Sequence, residues 1–311
     1  MVAGLTLPMA ATEATTVLFM AREESRLFRG WDAATPFSPA RSAQLSMTSQ
    51  TEASLSGFIL TTTPPLSPNA SRDLTLAERC QSHPIDVLVA FDREAAQAAM
   101  QECAAPLLMV QVSRQQVAPL LDLSPSRRAS AIYLEASPLL NLQLAHVLLP
   151  HARTVGVWVP TPAPPWLASL REEARRLQIT LEEMVVSDDL GAVRALRPRL
   201  AHLDAVLLPP DSTLINEWSL KPLLLMTIRQ GVPVLGGLTA AYVEAGVLAA
   251  VVADEAHLPE QMQIFITALA HARVPRPAYP TAVRVVVNTT VAQTLGLSAD
   301  VITRAQALFS R

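Results

Sequence analysis

RRASAIYLEASPLLNLQLAHVLLPHARTVGVWVP (residues 127–160), DAVLLPPDSTLINEW (204–218) and GVPVLGGLTAAYVEAGVLAAVV (231–252) decide the fold of this chain. Within them Thr154–Val159, Ala205–Leu208, Val232–Leu235 and Val247–Val252 are short apolar runs rich in Val and Leu, the pattern of strands buried on both faces. Between the first two, Trp166, Leu167, Leu170, Ala174 and Leu177 recur on one helical face, while Arg171, Glu172, Glu173, Arg175 and Arg176 fill the other. Strands alternating with amphipathic helices predict an α/β parallel sheet. Ligands of such sheets gather outside the carboxyl ends of the strands. Here those ends read Pro160-Thr161-Pro162, Pro209-Pro210-Asp211-Ser212-Thr213, Gly236-Gly237-Leu238-Thr239 and Ala253-Asp254-Glu255. Small hydroxyls, glycines and single carboxylates suit hydrogen bonding to a polar solute, although ordinary loop punctuation is the readier account of any one of them.

Outward from this stretch the alternation continues. Thr16–Met20 reads as a strand and Arg22–Trp31 as a helix, followed by a Ser, Thr, Pro and Ala-rich stretch over 34–72 whose only apolar island is Gly57–Leu60. Leu74–Gln81 reads as helix and Asp86–Phe91 as strand. Asp92 then stands at an N-cap position before an Ala-rich helix over Glu94–Ala104, and Leu107–Val112 is a further strand ending at Ser113 and Arg114. After Val252 a helix is expected over Pro259–Ala272, a Pro-rich connector over Val274–Pro280, and a strand over Val283–Asn288 before one or two closing helices. The whole divides into two α/β halves, one before and one after about Tyr133. The expected domains are a leader over 1–14, a first lobe of 15–133 with 255–282, and a second lobe of 134–254 with 283–311. Two such lobes predict a cleft that closes on a small molecule.

Composition narrows the function. Of 311 residues half are hydrophobic and 16% charged, which excludes a disordered tail. The formal charge of -3, with no basic run, argues against nucleic acid. Lys221 is the sole lysine, which reads as codon bias. Cys80 and Cys103 lack metal-ligand spacing, and the residues favour two buried thiols over a disulfide, which would need the flanking helices to pack together. Met1–Ala14 reads as the end of a secretory signal without a positive beginning, either cut short at its start or a frayed leader. No later stretch reaches the roughly 18 apolar residues of a membrane span.

The ordered blocks carry a resemblance. IDVLVAFDREAAQAAM (85–100), SAIYLEASPLLNLQLAHVLLPHARTVGV (130–157), VPVLGGLTAAYVEAGVLAAV (232–251) and VVVNTTVAQTLGL (285–297) resemble the substrate-binding proteins of ABC transporters with the type I periplasmic-binding fold. The similar branch is the one with tryptophan- and tyrosine-binding members, and shorter homologues beside TonB-dependent receptors are nearer still. The resemblance implies two Rossmann-like lobes with parallel sheets, a small-molecule ligand, an ABC permease as partner and a periplasmic location. Where the family places a Gly with Ser or Thr, this chain has Phe91, Asp92 and Arg93, so its pocket is not a copy of the family's.

Nothing in the sequence assembles a catalytic centre or a cofactor site. The histidines His83, His146, His151, His202, His257 and His271 are scattered, no zinc spacing or phosphate-binding glycine motif occurs, and Gly236-Gly237 alone is a weak cradle. Asp188-Asp189 and Asp254-Glu255 stand where acidic residues start helices. Tyr133 and Tyr242 are candidates to sandwich a flat ligand, with a core role as the alternative. Asn216 and Thr239 are, on the resemblance, candidates to hold a carboxylate or amide. The expected site therefore comprises Asp211, Ser212, Thr213, Asn216, Thr239 and Tyr242 on one wall and Asp92, Ser113 and Tyr133 on the other. The expected function is capture of a small polar or aromatic solute, without catalysis, cofactor or metal. The alternative is an envelope accessory protein with an altered cleft, working with a TonB-dependent receptor system.

Overall fold

The computed structural model describes residues 17–22, 53–55, 58–63, 75–82, 84–123 and 125–309. The leader over 1–14, the helix expected beyond Arg22 and most of the stretch over 34–72 lie outside them. The chain forms two compact units. The first holds the described residues up to Val110 together with Leu120–Ala131 and Gln263–Arg276; the second holds Gln111–Pro119, Ile132–Met262 and Pro277–Arg311.

One six-stranded sheet has the order β2-β3-β1-β4-β5-β6, with β1 at Val17–Arg22, β2 at Ala53–Leu55, β3 at Phe58–Thr63, β4 at Val87–Ala90, β5 at Leu107–Val112 and β6 at Ala129–Tyr133. The pairs β1–β4 and β4–β5 are parallel, as alternation with helices requires, whereas β3 runs antiparallel to both β1 and β2. The helices are α1 at Leu76–Ser82, α2 at Arg93–Glu102 and α3 at Arg114–Asp122. Asp92 caps α2 as expected, its Oδ1 accepting from the Ala95 N–H at 2.7 Å. The apolar runs Val87–Ala90 and Leu107–Val110 are fully buried.

Cys80 and Cys103 form a disulfide. This corrects the expectation of two free thiols. Sequence leaves helix–helix packing undetermined, and α1 packs beside α2, which brings the Cα atoms to 5.7 Å.

The second sheet has the order β12-β11-β10-β9-β7-β8, with β7 at Thr154–Pro160, β8 at Thr180–Val186, β9 at Ala205–Leu208, β10 at Val234–Gly236, β11 at Ala249–Ala253 and β12 at Val283–Val287. All neighbours but the last are parallel; β12 returns antiparallel to β11, so the expected parallel sheet carries an antiparallel edge. Its two faces are both covered. Val155, Val157, Val159 and Leu207 point into one core with α4 (Pro138–Leu148), α5 (Trp166–Arg176), α10 (Thr289–Thr294) and α11 (Ala299–Phe309). Trp158, Val206 and Leu208 point into the other with α6 (Asp189–Leu196), α7 (Glu217–Arg229) and α8 (Ala240–Glu244). The alternation along β7 and β9 is the period-two geometry of a strand. The remaining helix, α9, spans Leu258–Ala270.

The apolar face read on α5 is buried from Trp166 to Ala174. Glu173 departs from its expected polar face. It is buried, and accepts from Gln143 at 2.6 Å and from Arg176, so its burial is compensated rather than left unpaired.

Candidate functional site

Because β7, β8, β9, β10 and β11 run parallel, their carboxyl ends share one edge of the second sheet. An open hollow at the ends of β7 and β8 is lined by Thr161, Val186, Ser187, Gly191 and Arg194. Further along, the loop after β9 turns on Asp211, which is 4% exposed. Its Oδ1 accepts from the Thr213 N–H at 2.8 Å and from the Thr213 hydroxyl at 2.6 Å. Its Oδ2 is buried and, among the described residues, has no hydrogen-bond partner.

Tyr242, on α8, comes to the same loop. Its hydroxyl donates to the Ile215 carbonyl at 2.7 Å. Burial, with the Asp211 charge adding to it, pushes this hydroxyl up to about 12, so it stays a neutral phenol near neutral pH. The ring packs against Gly237, whose φ of +111° belongs to glycine; a Cβ there would stand 2.7 Å from Tyr242 Cγ. The glycine after β10 thus lets an aromatic ring lie directly on backbone.

The other expected residues divide by what their side chains already do. Asn216 caps α7: its Oδ1 accepts from the Trp218 and Ser219 N–H groups and its Nδ2 donates to Asp189 Oδ2 at 3.1 Å. Those bonds engage both ends of the amide. Ser212 and Thr213 are exposed, and the half-buried Thr239 stands at the start of α8 without capping it. Asp188 and Asp254 act as the helix starters expected of them, accepting from Gly191 and Ala256 N–H. Among the expected residues of the second unit, Asp211, Thr213 and Tyr242 come together around one loop.

Ser113 and Tyr133 belong to another cluster. The buried Ser113 carbonyl starts α3 by accepting from Gln116 and Val117 N–H. Next to it Arg114 reaches across: its guanidinium donates to the Tyr279 hydroxyl at 2.9 Å and lies 5.8 and 5.7 Å from the ring centroids of Tyr133 and Tyr279. The two rings meet edge to face at 5.1 Å. Gln261 fixes the Tyr279 segment by donating to the Tyr279 carbonyl and accepting from the Thr281 N–H, both at 3.0 Å. The carboxylate of Glu135, 1% exposed, is pushed up to about 7 by burial, against the lowering pull of its hydrogen bonds and of Arg114.

Arg114, Glu135 and Tyr279 were not among the residues expected from sequence. The signal for Glu135 was present: it is the single carboxylate within the apolar block 129–149. Arg114 read as the end of a strand and Tyr279 as part of a Pro-rich connector. Among the described residues no group of three or more His, Cys, Asp or Glu side chains is placed to hold a metal. No described helix is long and apolar enough to cross a membrane.

The fold of this chain is similar to that of several solved structures. A conserved domain protein from Vibrio cholerae is 20% identical with a TM-score of 0.53, covering 73% of this chain and 80% of its own. An ABC domain in complex with L-Trp from Streptococcus pneumonia is 19% identical with a TM-score of 0.54, over 73% and 82%. A substrate-binding protein with adhesive properties from Clostridium difficile, in its ligand-free, open form, is 18% identical with a TM-score of 0.54, over 71% and 77%. No family model and no curated protein matches the chain. The class that the structure defines is therefore an α/β protein of the type I periplasmic-binding fold.

Proposed function

We propose that this chain is the solute-binding component of an ABC-type uptake system, acting in the periplasm with a transporter permease and holding a small polar or aromatic molecule, without catalysing a reaction. The observation that carries this reading is the orphaned Asp211 Oδ2 at the carboxyl end of β9. A buried acceptor without a donor costs about 1–3 kcal/mol, and unsatisfied groups of this kind call for an explanation such as a role in function or an ordered water. An N–H or O–H of a solute would supply the missing donor. Tyr242 offers an aromatic face beside it, while its hydroxyl is already committed to Ile215. The likeness to an ABC domain solved with L-Trp supports a ligand with both polar and aromatic parts. The Cys80–Cys103 bridge supports an oxidising compartment.

Native mass spectrometry of freshly isolated protein tests the reading. One retained small molecule is expected, and Asp211→Asn and Tyr242→Ala are each expected to lose it. Absence of any retained molecule, together with no thermal shift from amino acids, nucleobase-like compounds or metal chelates, would overturn it. Co-purification with a membrane protein in that case would favour the accessory role beside a TonB-dependent receptor system.

A further inference from the structure

Arg114 carries a half-buried positive charge that its surroundings hold in place without discharging. Among the described residues no carboxylate lies within ion-pair distance of its guanidinium; one N–H is spent on the Tyr279 hydroxyl, and the remaining contacts are the Tyr133 and Tyr279 rings. Glu135, the nearby acid, is turned to the backbone: both of its oxygens accept from the Arg114 main-chain N–H, at 3.1 and 3.3 Å. Helix formation gives no reason for a cation at this position, because Arg114 opens α3, where the helix dipole disfavours positive charge. The aromatic rings attract the cation without taking its N–H groups, so among the described residues only the N–H given to Tyr279 is spent, and a guanidinium edge is the geometry that oxyanions accept from.

We propose that Arg114, braced by Tyr133 and Tyr279, binds the anionic oxygens of the solute, a carboxylate or a phosphate. This rests on the solute-binding reading and adds the charge of the solute to it. Arg114 is the binding cation. Tyr279 is a positioning residue that orients it through the hydroxyl.

The test is calorimetric titration of the full chain with benzoate, inorganic phosphate and neutral benzamide at millimolar concentrations, for the wild type and for Arg114→Gln, Arg114→Lys and Tyr279→Phe. The wild type is expected to bind an anion and not the amide, with preference for benzoate marking a carboxylate solute and preference for phosphate a phosphorylated one. Arg114→Gln should weaken the anion at least about tenfold, the loss of a charge-assisted hydrogen bond. Arg114→Lys should recover part of it, and Tyr279→Phe should lose less than Arg114→Gln. Equal binding of benzoate and benzamide, or an anion affinity unmoved by Arg114→Gln, would overturn the inference. If a neutral molecule is retained on isolation and Arg114→Gln holds it as tightly, the inference falls while the solute-binding reading stands. If no solute of any charge binds, both fall. Should Arg114→Gln fail to fold, the lysine and phenylalanine variants still decide the matter.

Discussion

The main-chain N–H of Arg114 donates to both oxygens of the Glu135 carboxylate while the Arg114 side chain turns away to Tyr279. Glu135 is thereby held in a dry site by a backbone dipole rather than by a full charge, and burial raises it from 4.5 to about 7. With the folded value above the unfolded one, the unfolded chain releases this proton first as pH rises. The group therefore costs stability progressively across that interval and fully above it. Glu135→Gln is expected to raise stability near pH 8 by up to about 3 kcal/mol and to give no such gain near pH 4. Urea melts at the two pH values check this, and an equal difference at both would refute the burial argument.

Anion binding should share that pH dependence. The ionisable groups around Glu135 are Arg114, Tyr133 and Tyr279, and of these Arg114 is the cation. As Glu135 ionises it offsets the Arg114 field, so benzoate affinity is expected to fall as pH passes through about 7. The same titration on Glu135→Gln should be flat over this range.

Asp211→Asn separates function from stability. The amide keeps one oxygen for the two Thr213 donors and replaces the orphaned oxygen with a donor. The midpoint of thermal unfolding is expected to hold or rise, while solute retention drops about tenfold or more, a loss consistent with one strong hydrogen bond. A variant that unfolds earlier and still retains its solute would assign Asp211 to the loop alone.

Gly237→Ala meets two penalties at once, a φ of +111° and a Cβ pressed on the Tyr242 ring. Destabilisation of about 1–3 kcal/mol is expected. Chemical denaturation measures it, and a change in the tyrosine near-ultraviolet dichroism would report the displaced ring.

The Cys80–Cys103 bridge spans a separation of 23 residues. Closing a loop of that length restricts the unfolded chain by about 3 kcal/mol. Thermal melts with and without a reductant should differ accordingly, and the Cys80→Ser/Cys103→Ser double variant should lie with the reduced protein whether or not reductant is present.

The strands were the most legible part of this protein. Ala205–Leu208 was read with its observed ends, and Leu107–Val112 likewise, because a strand covered on both faces must be apolar at every position and its boundaries are marked by Pro, Asp or Ser. Helix α3 was missed: it begins in Arg114-Gln115-Gln116 and contains Pro119, so neither periodicity nor propensity announces it. With it went Arg114. Antiparallel β12 was expected as a strand but not in its direction, since direction depends on the path of the chain between strands rather than on residue type.

For the candidate site residues, sequence gives a position at strand ends and not the contacts of their side chains. Placing Asp211, Thr213 and Tyr242 at strand ends needed only the rule that parallel sheets expose their carboxyl edge, and that rule also nominated Asn216 and Asp92. Their hydrogen bonds separate them: Asn216 spends its amide on a helix start and on Asp189, whereas Asp211 has, among the described residues, one oxygen without a partner.

Local pattern and burial periodicity thus determined the α/β class, the strand sequence and the edge on which polar residues collect, because those follow from which side chains leave water. The Arg114 cluster, the disulfide and the distinction between a capping and an orphaned side chain were decided by tertiary structure alone. Each depends on distances between residues far apart in the chain, as Arg114 and Tyr279 are, and one-dimensional spacing carries no term for such distances.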